Sequence, residues 1–176
     1  MRIGFDLDNT LLDTKILKYV FEKNNMRYYP AINWDMSNYP DNIRQEIFKL
    51  FKSDMMIHKN TLPFAVELIK KLKAEGHKIV VITARDKSLE KKTIELVHEL
   101  FDVKCLVVGL HDSKLDLLEH YEIDLWIDDS PRIEEYFEAG ISCIMISNED
   151  TLYNHHLRNK IEWVDSVESI HENYEF

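Results

Sequence analysis

Short apolar runs alternate with longer amphipathic ones along this chain, and that alternation restricts it to few folds. Runs rich in Val, Ile, Phe and Cys occupy positions 2–7, 78–83, 104–109, 124–127 and 142–147. Most lack polar alternation, as expected of strands covered on both faces. Helical patterns fill the intervals. In PFAVELIKKLKAEG, Ala65, Leu68, Ile69 and Leu72 make one stripe, Pro63 suits a first turn and Gly76 suits a stop. KSLEKKTIELVHELF, SKLDLLEHY and SPRIEEYFEAG follow the same plan. The pattern predicts an α/β fold, a Rossmann-like parallel sheet with helices on both faces. Sheets of this kind take their ligands at the carboxyl ends of the strands.

One stretch interrupts the alternation. TKILKYVFEKNN and DNIRQEIFKLFKSDM read as helices flanking the aromatic and proline-rich MRYYPAINWDMSNYP. We expect a small helical cap over 13–61, inserted after the first strand, on an α/β core made of 1–12 and 62–176. Asp13 is expected to cap the first cap helix. The tail RNKIEWVDSVESIHENYEF reads as a strand and a short helix closing the sheet's edge.

Composition excludes some functions. With 32 acidic and 22 basic residues the net charge is -10, which disfavours a long nucleic acid. A small anion remains possible where a cation compensates it locally. Cys105 and Cys143 lie in apolar runs and read as buried thiols, not a disulfide or zinc pair. His155 and His156 are adjacent, which does not place both on one helical face. No apolar stretch reaches membrane-spanning length, and Asp6 and Asp8 interrupt the early apolar run where a signal peptide would lie. A cytoplasmic protein is expected, as monomer or homodimer.

The acidic residues carry the chemistry. Asp6 and Asp8, two apart on an extended strand exit, point the same way. An ionised Asp can attack phosphorus and form an aspartyl-phosphate, but its charge repels the phosphate unless a cation such as Mg²⁺ lies between them. A second carboxylate can protonate the leaving oxygen and then activate water. VVITARD places the Thr83 hydroxyl, with the backbone of Ala84 beside it, where phosphate oxygens could be held; Arg85 could reach the phosphate or another polar group, or equally pair with a surface carboxylate. HDSKLDLL places Lys114 at a helix start, where its ammonium offsets the charge of nucleophile and phosphoryl group. LWIDDSP sets Asp128 and Asp129 at the end of an apolar strand, ready to complete a metal site.

The order DxDxT, strand-end Thr, Lys, DD resembles the haloacid dehalogenase (HAD) superfamily across residues 2 to about 147. The resemblance implies Asp6 as nucleophile and metal ligand, and Asp8 as acid/base with its backbone carbonyl on the metal. It further implies Thr83 on phosphate, Lys114 as charge stabiliser, Asp128 as metal ligand and Asp129 assisting. A second Asp two residues after the first is similar to the phosphatase branch.

Within that superfamily the chain looks most like the 5'(3')-deoxyribonucleotidases, through the short cap, NWDM, LPFAVELIKKLKAEGHKIVVITAR and SNEDTLYN. After the second Asp it has Asn9-Thr10, where that group usually carries Gly-Val. A nucleotide base needs a flat apolar surface, which Trp34, Tyr28, Tyr29 or Tyr39 could offer; Trp34 is the best candidate, while Tyr28 and Tyr29 are expected rather to hold the cap's helices together. The expectation is a Mg²⁺-dependent nucleotidase acting on nucleoside monophosphates. The alternatives are another small phosphate ester, a nucleic-acid terminal phosphate, phosphoryl transfer to an alcohol, or a non-catalytic phosphate-binding module.

Overall fold

The computed structural model describes residues 1–28 and 36–175. Six strands form one parallel sheet: β1 Arg2–Phe5, β2 Lys78–Ala84, β3 Lys104–Val108, β4 Leu125–Asp128, β5 Ser142–Ile146 and β6 Glu162–Val164. Their order is β3-β2-β1-β4-β5-β6. The chain winds outward from β1 in both directions, so β1 and β4 flank the switch point where such sheets bind ligands. Phe5 pairs with Ile127 across that seam, and the Asp6 N–H continues the ladder to the Ile127 carbonyl at 2.9 Å.

Both faces are covered, as the unbroken apolar runs predict. Ile3, Phe5, Leu7 and Val81 pack beneath α3 (Ala65–Ala74), α4 (Glu90–Phe101) and α7 (Val167–Asn173). Val80, Ile82, Trp126 and Met145 pack on the other face with α5 (Leu115–His120) and α6 (Ile133–Glu138). Gly76 and Gly140 end α3 and α6 with φ of +87° and +90°, the left-handed conformation in which glycine carries no Cβ penalty. The tail supplies β6 beside β5, followed by α7.

The helical insertion has a core of its own. α1 (Ile16–Lys23) and α2 (Asp41–Phe51) enclose Ile16, Val20, Phe21, Tyr39, Ile43 and Ile47. Its two ends meet in a short neck, where Leu62 N–H reaches the Leu11 carbonyl and Asp13 N–H the Asn60 carbonyl. Asp13 does not cap α1. The helix is entered at Lys15 without a side-chain cap, and the Asp13 carboxylate instead pairs with Lys15 Nζ at 3.1 Å. Both cysteines are buried and free. Among the described residues no helix is long and apolar enough to cross a membrane.

Candidate active site

The site is assembled where β1, β2 and β4 end and α5 begins. Asp6 follows β1 and is 7% exposed. Lys114, at the N-terminal cap position of α5, reaches in from the neighbouring connection, with Nζ 2.6 Å from Asp6 Oδ1 and 3.2 Å from Asp128 Oδ2. The same ammonium lies 4.9 Å from the centre of the Trp126 ring. Trp126 Nε1 donates to Asp128 Oδ2 at 2.9 Å, and the Ser130 N–H donates to Asp128 Oδ1 at 2.7 Å. A Cβ at position 4 would come within 2.6 Å of the Trp126 ring, so glycine there is what lets the indole lie against β1.

Asp129 is held by groups to which the sequence reading assigned no role. Thr10 Oγ1 donates to its Oδ1 at 3.2 Å, and the Tyr153 hydroxyl donates to its Oδ2. Thr10 stands in DxDxT and Tyr153 in SNEDTLYN, so both lie inside motifs that were visible. Their common target appears only when the β1 turn and the segment after β5 come together. Asn9, at φ +58°, makes the tight turn that swings Thr10 back; Asn tolerates that conformation better than most residues.

Carboxylate oxygens of Asp6, Asp128 and Asp129 all lie within 4.8 Å of one another, and all three residues are buried. Three buried carboxylates share one ammonium, an excess of negative charge that costs several kcal/mol per ion unless relieved. The consequence falls on the proton affinities of Asp6 and Asp129. Burial, with Asp128 and Asp8 nearby, pushes Asp6 from 3.8 up to about 7 despite Lys114. Burial and the charges of Asp128 and Asp6 drive Asp129 upward as well. Burial alone would lower Lys114, but Asp128 and Asp6 raise it and keep it charged. An all-oxygen donor set with surplus negative charge suits a hard divalent cation such as Mg²⁺.

Asp8 is placed differently. Its carboxylate turns to Arg85, accepting from Nε at 2.9 Å and Nη2 at 2.7 Å, and Thr14 Oγ1 adds a third hydrogen bond at 2.6 Å. Burial opposes ionisation, yet Arg85 and Thr14 hold the Asp8 pKa below the usual carboxylate value. Arg85 is 0% exposed and does not line the cavity above the site, so the structure sets it behind Asp8 and not toward a substrate. Asp8, Thr83 and Ala84 do line that cavity. The buried Thr83 hydroxyl has no hydrogen-bond partner among the described residues, which leaves it available to a ligand oxygen.

The cavity holds about 540 Å³ and lies between the sheet's carboxyl edge and the helical insertion. Arg44, Phe48 and Phe51, on one stripe of α2, line its far wall with Tyr28. Phe48 also meets His111 of the loop after β3, ring centres 6.4 Å apart. Tyr39 is instead buried, its ring edge-on to Phe21 at 4.9 Å. Tyr29 and Trp34 lie outside the described residues.

Comparison with known proteins agrees with this architecture. No family model matches the chain. A Bacillus cereus protein named "Putative nucleotidase" is 26% identical over 174 residues, covering 89% of this chain and 90% of that one. A solved structure titled "a predicted phosphatase" from Clostridium acetobutylicum superimposes with a TM-score of 0.63 at 20% identity, over 97% of this chain and 95% of the other. A HAD hydrolase of family IA from Entamoeba histolytica gives 0.64 at 15% identity, over 94% and 92%. Sheet order, helical insertion and these superpositions together establish that the chain has the HAD-like α/β fold.

Proposed function

We propose that the chain is a Mg²⁺-dependent phosphomonoesterase that works through an aspartyl-phosphate on Asp6 and acts on nucleoside monophosphates. One observation carries the reading. Asp6 opens into the cavity with Oδ1 held by Lys114, while Thr83, whose buried hydroxyl has no partner among the described residues, lines the same cavity.

Asp6 Oδ2 makes no hydrogen bond among the described residues and is the oxygen free to attack. It bonds to phosphorus as the ester P–O bond breaks, and the leaving oxygen takes a proton from Asp8. Thr83 and the Ala84 backbone bind phosphoryl oxygens, and Lys114 offsets the charge gathered on Asp6 and the phosphoryl group. Asp8 then takes a proton from water as the water oxygen attacks phosphorus and the bond to Asp6 breaks. Asp6, Asp128, Asp129 and the Asp8 carbonyl would hold the metal, which when bound offsets the repulsion between carboxylate and phosphate.

Residues 13–61 act in this reading as a cap whose α2 stripe forms the leaving-group wall. The aromatic rings of Tyr28, Phe48 and Phe51 suit a nucleobase, and the Bacillus cereus relative's name points the same way. Trp34 is proposed as a further contact.

A panel of phosphate esters with and without Mg²⁺, with Asp6→Asn as control, tests the proposal. Highest kcat/KM on nucleoside monophosphates, dependent on Mg²⁺ and absent in Asp6→Asn, supports it. A sugar phosphate or oligonucleotide end as best substrate would overturn the nucleotide part. No turnover by the wild type with any metal would leave a phosphate-binding module.

A further inference from the structure

Arg85 is among the largest fully buried side chains of the molecule, yet it does not face the cavity. A buried guanidinium is expensive unless its charge and its donors are met. Here they are met chiefly by Asp8. Nε and Nη2 take one carboxylate oxygen each, the parallel fork that fixes a carboxylate in both position and plane. Nη1 lies 3.5 Å from Thr93 Oγ1 on α4, and the Arg85 N–H is bonded to the Val108 carbonyl of β3, so the fork is anchored on two elements. Thr14 Oγ1 also donates to Asp8 Oδ1 and lies 3.1 Å from His58 Nε2, in the segment that leads from the insertion into the neck. Asp8 thus has both oxygens engaged while its side chain stays 19% exposed and borders the cavity.

We infer that Arg85 is a positioning residue that holds the Asp8 carboxylate as an aimed base for the second half of the reaction, the hydrolysis of the aspartyl-phosphate. The inference rests on the phosphatase reading above. In that half-reaction a water O–H bond breaks, its proton goes to Asp8, the water oxygen bonds to phosphorus, and the P–O bond to Asp6 breaks. The first half calls on Asp8 in the other direction, as the acid toward the leaving oxygen. An ester with a good leaving group bypasses the need, because the departing oxygen leaves as an anion. With such a substrate, disturbing Arg85 should slow the second half alone.

The readout is therefore the shape of the time course, followed by stopped flow with p-nitrophenyl phosphate and Mg²⁺. Arg85→Lys keeps the charge and loses the fork. We expect its first turnover to stay within about threefold of wild type while the steady state falls roughly 10- to 100-fold, part of the general-base contribution. The result is a nitrophenolate burst approaching one equivalent of enzyme. Thr14→Val removes the other hydrogen bond on Asp8 with little change of shape, and should give a smaller change of the same kind; it decides the matter if Arg85→Lys fails to fold. Equal slowing of first and later turnovers, or wild-type steady-state rates in both variants, would overturn the inference. A wild type that releases no nitrophenolate would overturn the phosphatase reading itself.

Discussion

Asp6 and Asp8 differ by two positions and share a residue type, yet their surroundings set them apart. Asp6 sits among like charges with one ammonium, and Asp8 sits in a neutral pair with Arg85. Asp6→Asn should lower kcat by more than about 10³-fold, as loss of a nucleophile does, with the melting temperature maintained or raised because one uncompensated buried charge is gone. Retained turnover would remove Asp6 from the nucleophile's place. Asp128→Ala should shift the Mg²⁺ titration of activity to higher concentration, since it takes one of three clustered carboxylates away; an unshifted titration would take it off the ligand set. Gly4→Ala drives a methyl into Trp126, the ring that carries the hydrogen bond to Asp128. Overpacking of this kind costs about 1–3 kcal/mol, measurable by urea denaturation, and should weaken Mg²⁺ affinity in the same variant.

The two sides of α2 separate stability from recognition. Ile43 and Ile47 face the insertion's core and are fully buried, while Arg44, Phe48 and Phe51 face the cavity. Ile47→Ala should destabilise the insertion by about 2–5 kcal/mol, seen as early loss of amide-exchange protection in α1 and α2. Phe48→Ala removes wall without touching Asp6, so KM should rise several-fold with kcat little changed. A fall in kcat with KM constant would mean that Phe48 serves closure of the site and not binding of the leaving group. The neck pairing between 11–13 and 60–62 ties the insertion to the turn carrying Asp8, which links the placing of this wall to the placing of the proposed acid/base.

Across the molecule, the surplus charge under the cavity couples protons to folding, and in the proposed reading couples a metal as well. Asp6 titrates near 3.8 when unfolded and near 7 in the metal-free fold. Between those values the folded chain binds more protons than the unfolded one, so stability falls as pH rises from about 4 to about 7. A divalent cation bound there would replace the proton and remove that loss. Mg²⁺ should therefore raise the melting temperature, by an amount set by about 2.7 kcal/mol at one hundred times its Kd, and more at pH 8 than at pH 5. Scanning fluorimetry at the two pH values with and without Mg²⁺ checks this; an equal shift at both would sever the link between Asp6 and the metal.

Much of this was legible along the chain because it depends on local regularity. Apolar runs that must be covered on both faces announce a parallel sheet, glycines at 76 and 140 announce helix ends, and strand ends locate Asp6, Thr83 and Asp128. Lys114 was legible as a residue opening a helix. Partnership was not. The fork of Arg85 on Asp8 spans 77 positions and the hydroxyl of Tyr153 on Asp129 spans 24. Neither has a periodicity or a spacing that records it, because side-chain hydrogen bonds between separate elements exist only after the elements pack. Asp13 shows the reverse: good cap chemistry two positions too early, its place fixed by the neck bond to Asn60 and its carboxylate taken by Lys15. Residue type and order along the chain were enough to say which groups could do phosphoryl chemistry. Packing decided which carboxylate lies under Lys114 and which is neutralised by Arg85, since charge compensation acts through distance in space.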